Sequence, residues 1–453
     1  MKINDKFKES GSNSHRFKTN HKPKIHLTTL GCAKNLYDSE ILLGQFRAND
    51  IPLTDDPQQA DVLIINTCGF ITPAKQESIE AILEAGKIKT ARPGRKLLVC
   101  GCLSKRYQKD LRREIPEVDE YFGTEDFLEI LDYLQLQPAS PHHLYEHRYL
   151  SRHSHYAYLK ISEGCNHKCA FCAIPLMRGR HRSRRMEDIL SEARILAQQG
   201  VKELILIAQD TTFYGLDLYK KQRLVDLIRE LEEIPGIEWI RIHYAYPTTF
   251  QDELVDLMRN SRKVVKYLDL PIQHISDRVL KMMKRGGTSR RIQKILHRMR
   301  ERIPEVALRT TLIVGHPRET EEDFKILTDF IQETQFDRLG VFVYSPEENT
   351  AAHALPHPPE KIAQRRYQTI MEIQQNISWE KNRQKIGRTF KVLIDEYQQQ
   401  THTAIGRTYA DSPEIDNEVI IEDVNRTVVP GEFYNVKIYN ANEYELFGKI
   451  ERF

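Results

Sequence analysis

Three of the chain's seven cysteines fall within one short run, Cys165, Cys169 and Cys172 in GCNHKCAFC, and no other feature limits the chain as tightly. The run follows directly on an apolar stretch, Tyr156 to Ile161, that reads as a strand. A disulfide framework needs pairs, and three is odd. A structural zinc site closes four ligands around one ion, so a zinc knuckle would need His167 or a remote residue to complete it. Three thiolates can instead hold three irons of a 4Fe-4S cluster and leave the fourth iron open to another ligand. The C-x3-C-x2-C spacing favours the open cluster.

A chain of 453 residues exceeds one compact core, so two or three domains are expected. Hydrophobic residues at 40% and charged residues at 29% describe an ordinary soluble globular protein. No run of apolar residues is long enough to span a bilayer. The opening residues, MKINDKFKESGSNSHRFKTNHKPK, are polar and basic and lack the apolar segment of a secretory signal. Residues 1–23 therefore read as a disordered tail. Cysteines without an export signal point to a reducing compartment, the cytoplasm, where thiols stay available to metals. The net charge of +3 argues for neither a nucleic acid nor a membrane partner.

Residues 24–140 read as a small α/β domain. KIHLTTLG, ADVLIINTCGF and KLLVCGCLS are strands, and NLYDSEILLGQFRAND and PAKQESIEAILEAGKIK are helices between them. Such alternation implies a parallel sheet. Cys32, Cys68 and Cys102 fall at the carboxyl ends of these strands, where an open parallel sheet forms its ligand crevice. Cysteines far apart in sequence would thus converge. Cys100 lies two residues before Cys102 and would face the same side on a continuous strand. It reads as a small buried apolar residue. The His-rich stretch after residue 140 reads as a solvated linker, with the linker proper at 141–150.

Over residues 151–382 the alternation resumes at larger scale. Six strands are expected, in YAYLKIS, ELILIAQD, WIRIHYAY, VVKYLDLPIQ, VALRTTLIVG and RLGVFVYS, with helices between. Six units make an open partial (β/α)6 barrel, two short of a full one. Chemistry in such barrels sits at the carboxyl ends of the strands, so Gln209, Asp210, Tyr244, Gln273, His274 and Gly315 would ring a polar mouth. Residues 383–453 carry short β-rich runs separated by turn residues, the pattern of a small OB-like β-barrel. That segment has nine Lys or Arg against twelve Asp or Glu. An RNA-binding barrel should be basic, so this one suits a basic protein surface better.

The order of these parts resembles the methylthiotransferase family of radical S-adenosylmethionine (SAM) enzymes, with an N-terminal cysteine domain, a radical SAM barrel and a TRAM barrel. The resemblance rests on LGCAKNLYDSE around Cys32, INTCGF around Cys68, GCLSKRY around Cys102, SEGCNHKCAFC and GHPRET from Gly315. The GCAKN form and RTYADSPEID, Arg407 to Asp416, are similar to the branch that modifies ribosomal protein S12. The tRNA branches tend to have GCQMN. GHPRET departs from the family's GFPGET, with His316 and Arg318 in place of an aromatic and a glycine.

The resemblance implies two 4Fe-4S clusters, one on Cys165, Cys169 and Cys172 and one on Cys32, Cys68 and Cys102. It implies SAM at the open iron of the first, in a pocket with Gln209, Gln273 and Gly315. A 5′-deoxyadenosyl radical would take hydrogen from the β-carbon of an aspartate of S12, and the second cluster would carry the sulfur to be inserted. No side chain is assigned acid–base work. Implied partners are S12, free or in the small subunit, an electron donor such as a flavodoxin or ferredoxin, and a sulfur donor. A monomer is expected. The alternatives are methylthiolation of a modified adenosine in tRNA and a non-enzymatic iron–sulfur carrier.

Overall fold

The computed structural model describes residues 22–151, 154–422, 424 and 428–451. Nearly all of the stretch read as a disordered tail lies outside the described residues. The N-terminal unit runs β1 (Ile25–Thr29), α1 (Ala33–Ala48), β2 (Val62–Thr67), α2 (Thr72–Thr90), β3 (Lys96–Gly101), α3 (Cys102–Glu114), β4 (Glu120–Tyr121) and α4 (Phe127–Tyr133). Its strands lie parallel in the order β1-β2-β3-β4. Every residue of β2 is buried, as a central strand covered by helices on both faces requires. Ile25, Leu42, Ile64 and Leu98 fill one face and Leu63, Ile82, Leu97 and Val99 the other.

The chain turns sharply at the end of β3. Gly101 has φ +97°, and an added Cβ would stand 2.5 Å from the Thr67 carbonyl oxygen, so only glycine fits. The expectation that Cys100 and Cys102 face one side is corrected by this turn. Cys100 packs in the sheet core with Leu98 and Phe122, while Cys102 opens α3 and packs on Ala173 and Met177.

The second unit runs β5 (Tyr156–Lys160), β6 (Ser162–Glu163), α5 (Ile174–Arg178), β7 (Arg182–Ser183), α6 (Met186–Gln198), β8 (Glu203–Ile207), α7 (Leu224–Glu232) and β9 (Trp239–Ile242). It continues through α8 (Asp252–Asn260), β10 (Val264–Asp269), α9 (Asp277–Met282), α10 (Ser289–Arg302), β11 (Ala307–Val314), α11 (Glu321–Thr334), β12 (Arg338–Val343) and α12 (Glu360–Arg383). Six parallel strands pair in the order β5-β8-β9-β10-β11-β12 and form the expected open barrel. Helices bury apolar stripes against it: α10 uses Ile292, Ile295, Leu296 and Met299, a helical period. The segment read as a solvated linker is instead anchored. Arg148 is buried, and its guanidinium donates to Glu40 of α1 at 2.6 Å and Glu192 of α6 at 2.8 Å.

The third unit is a closed barrel of β13 (Thr389–Gln398), β14 (Thr403–Arg407), β15 (Glu418–Ile421), β16 (Phe433–Ala441) and β17 (Glu445–Ile450), ordered β13-β14-β15-β17-β16. Its segment Thr408–Asp416 docks under the larger barrel, at the end opposite the strand exits. Arg338 pairs with Asp411, Arg309 lies 3.3 Å from Asp416, and Arg241 donates to the Tyr409 carbonyl at 2.8 Å. Glu203 accepts from both Arg241 and Arg407 at 2.7 Å. Barrel interiors are usually filled with branched apolar side chains. Here arginines fill the floor, and the third unit adds Asp411 and Asp416 to the barrel's own Glu203 and Asp269 as their counter-charges.

Candidate functional site

The N-terminal cysteines meet as their strand positions predict. Cys32 caps α1, Cys68 follows β2 and Cys102 begins α3. At Gly31 (φ +89°) an added Cβ would stand 2.9 Å from the Cys68 sulfur, so the first two strand exits touch. Gly69 abuts Cys102 and Leu103 in the same way. The thiols sense one another: burial pushes Cys102 up to about 12, with Cys32 and Cys68 adding to the rise and Arg178 opposing it. Cys68 is raised by burial too. Cys32 differs. Burial raises its thiol, yet Lys34, Arg178 and the backbone amides of Asn35 and Lys34 together bring it below its ordinary value.

The second triad lies beyond β5 and β6. Burial, helped by the Cys169 charge, pushes Cys165 up to about 11 and Cys172 up to about 12. Cys169 sulfur sits 3.7 Å from the Tyr246 hydroxyl, whose proton goes to the Arg285 carbonyl, and 3.8 Å from an Arg285 nitrogen able to donate to a cluster thiolate. His167 is otherwise engaged. Its Nε2 lies 2.7 Å from Asp210 and its ring stacks on Tyr246 at 3.7 Å. Among the described residues, no three His, Cys, Asp or Glu side chains close up as ligands of a single metal ion. A cuboidal cluster spreads its thiolates over separate irons, and each triad has a donor set suited to that.

A buried ionic seam joins the triads. Arg178, at the end of α5, donates to Asn35 at 2.6 Å, Glu163 at 2.9 Å and Asp38 at 3.2 Å. Lys160 donates to Asp38 at 2.6 Å and Glu163 at 2.8 Å. Cys102 packs on Ala173, the residue after Cys172, so the two triads are near neighbours. None of these charged residues was singled out from the sequence. Asp38 lies within α1 and Glu163 just past β5, and each reads in sequence as an ordinary charged residue.

The mouth of the barrel carries unsatisfied polar atoms. Ser162 Oγ, Gln209 Oε1, Gln273 Oε1 and Tyr344 OH are buried without hydrogen-bond partners, at the exits of β5, β8, β10 and β12. Buried polar atoms are normally paired, so a ring of orphans fits a polar ligand such as SAM. Gly315 (φ +74°) follows β11 directly at the same end of the barrel, and an added Cβ there would meet Ala363 of α12 at 2.6 Å.

Comparison with known proteins accounts for each unit. Residues 159–331 match the radical SAM superfamily, residues 24–123 the uncharacterized protein family UPF0004 and residues 386–450 the TRAM domain. The chain is 49% identical to the ribosomal protein uS12 methylthiotransferase RimO of Flavobacterium johnsoniae, over 96% of this chain and 99% of that one. It is 48% identical to RimO of Aquifex aeolicus, over 94% and 97%. The chain belongs to the uS12 methylthiotransferase family. As a radical SAM methylthiotransferase it uses a 4Fe-4S cluster and SAM. The fold is shared more widely: the radical SAM methyltransferase TsrM from Kitasatospora setae superposes with TM-score 0.53 at 12% identity, covering 74% of this chain and 77% of that one. Among the described residues of this uS12 methylthiotransferase family member, no helix is long and apolar enough to cross a membrane.

Proposed function

We propose that this chain methylthiolates ribosomal protein S12 at the β-carbon of an aspartate, using two 4Fe-4S clusters. Cys165, Cys169 and Cys172 hold the cluster that binds SAM, and Cys32, Cys68 and Cys102 hold the second. When bound, the first cluster and SAM would supply a one-electron route to a carbon radical, at a C–H bond that no general base near neutral pH could deprotonate. The chain's own residues position and shield. Gln209, Gln273 and Ser162 offer hydrogen bonds to SAM at the strand exits, Arg285 donates toward Cys169, and the Arg178 seam keeps the two triads in register. Packing of Cys102 on Ala173 keeps water out between them. A flavodoxin or ferredoxin supplies electrons and a separate donor supplies sulfur. The protein works in the cytoplasm as a monomer.

The observation that carries this reading is the meeting of two cysteine triads across one seam, in a chain nearly half identical to named S12 methylthiotransferases. The charge of the terminal barrel contributes less than its composition suggests, because Asp395, Asp411 and Asp416 are consumed in buried ion pairs. Mass spectrometry of S12 and tRNA from cells with and without this gene tests it. A methylthio increment on an S12 aspartate peptide, lost on deletion, is expected. An unmodified S12 with methylthioadenosine missing from tRNA would transfer the chain to the tRNA reading.

A further inference from the structure

Three cations crowd the seam between the triads; two touch carboxylates directly, while the third, Lys34, is drawn only through space to the Cys32 thiolate and Glu163. Lys160 and Arg178 share the carboxylates of Asp38 and Glu163, each making a direct contact with both. Lys34 has neither. It lies two residues beyond Cys32 on α1 and is only 8% exposed. Its ammonium sits 3.6 Å from the centre of the Tyr244 ring, and among the described residues it donates no hydrogen bond. A cation taken out of water without an acceptor is costly unless a partner arrives. An aromatic face offsets part of that cost and leaves all three N–H donors free.

Position says what the partner is. Tyr244 stands just past β9, at the mouth where the orphaned polar atoms gather, and is held at φ +58° by its N–H bond to Asp269 at 2.9 Å. Lys34 thus bridges the Cys32 side of the seam and the barrel mouth. We infer that Lys34 binds the side-chain carboxylate of the substrate aspartate and so selects an acidic residue over a neutral one. This assignment rests on the S12 reading above. Held by its carboxylate, the aspartate has its β-carbon one bond away and fixed, the orientation that a reaction at that carbon needs. The Tyr244 face keeps the ammonium in place before substrate arrives, so little ordering is required on binding.

The test is equilibrium binding of purified S12 to the cluster-loaded enzyme, with the modified aspartate intact or changed to asparagine. Wild type should bind the aspartate form more tightly by on the order of 10- to 100-fold, the range of one charge-assisted hydrogen bond. K34M should erase that preference, and K34R should keep most of it. Iron content of both triads should be unchanged in K34M. Equal binding of the two S12 forms by wild type would overturn the assignment while leaving the S12 reading intact. Loss of iron from the N-terminal triad in K34M would also overturn it, by making Lys34 a support of the cluster. Failure of wild type to bind either form would remove the S12 reading, and the assignment with it.

Discussion

Replacing Arg178 by methionine should loosen the N-terminal domain from the barrel far more than one surface contact could. Its side chain is 1% exposed, against 3% for Asp38 and 5% for Glu163. Without the guanidinium, both carboxylates depend on Lys160, and the Asn35 amide oxygen loses its 2.6 Å donor. Breaking a buried ion pair from one side costs about 3–5 kcal/mol, because the orphaned charge stays buried. At about 1.4 kcal/mol per decade this is roughly a 100- to 3,000-fold loss of protection. Hydrogen exchange of the α1 amides reads it directly, since that helix carries both Asn35 and Asp38. R178M should speed exchange in α1 by that factor and leave α10 unchanged. R178M combined with D38N should lose less than R178M alone, because one orphaned charge is gone. A change in α1 below about tenfold, or no relief from D38N, would refute the view of the seam as a paired charge cluster.

Three further outcomes are expected. Iron analysis of single variants should show C102A losing the N-terminal iron and C169A losing the barrel iron together with SAM cleavage, while C100A keeps both, since Cys100 lies in the sheet core. R318G should stabilise by about 0.5–1 kcal/mol, because Arg318 is held at φ +62°, where a side chain is strained; an unchanged denaturation midpoint would contradict this. His316 is fully buried, and burial pushes its imidazole down to about 4 from 6.5, so the unfolded chain takes up the proton first. Stability present above about pH 6.5 should therefore fall as pH drops toward 4, by up to about 3 kcal/mol, and H316F should flatten that slope in denaturant titrations.

The six barrel strands and the strand-end cysteines were legible because each depends on local pattern. Apolar runs such as ELILI form buried parallel strands, and in βα units the residue after a strand faces the ligand crevice. What resisted reading was charge. Arg148, Lys160 and Arg178 look like solvated residues in sequence, and their partners lie 108, 122 and 143 positions away. The same blindness misdirected the charge count of the terminal barrel. Three of its acids face inward, to Arg407, Arg338 and Arg309, and contribute nothing to its outer potential. The break between Cys100 and Cys102 was hidden in one glycine whose φ only the fold reveals.

The docked segment Thr408–Asp416 also bears on how such an enzyme could be re-engineered. Appended recognition modules are commonly treated as exchangeable, with a new one fused on to redirect a catalyst. Here the module's own loop is the stopper of the catalytic vessel. A foreign barrel grafted at residue 386 would strand Arg338 without Asp411, and would strip Arg309 of Asp416 and Arg241 of the Tyr409 carbonyl, leaving those two with Asp269 and Glu203 alone beneath the reaction chamber. A workable chimera must therefore inherit Arg407 to Asp416 intact and change only the strands and turns that face outward.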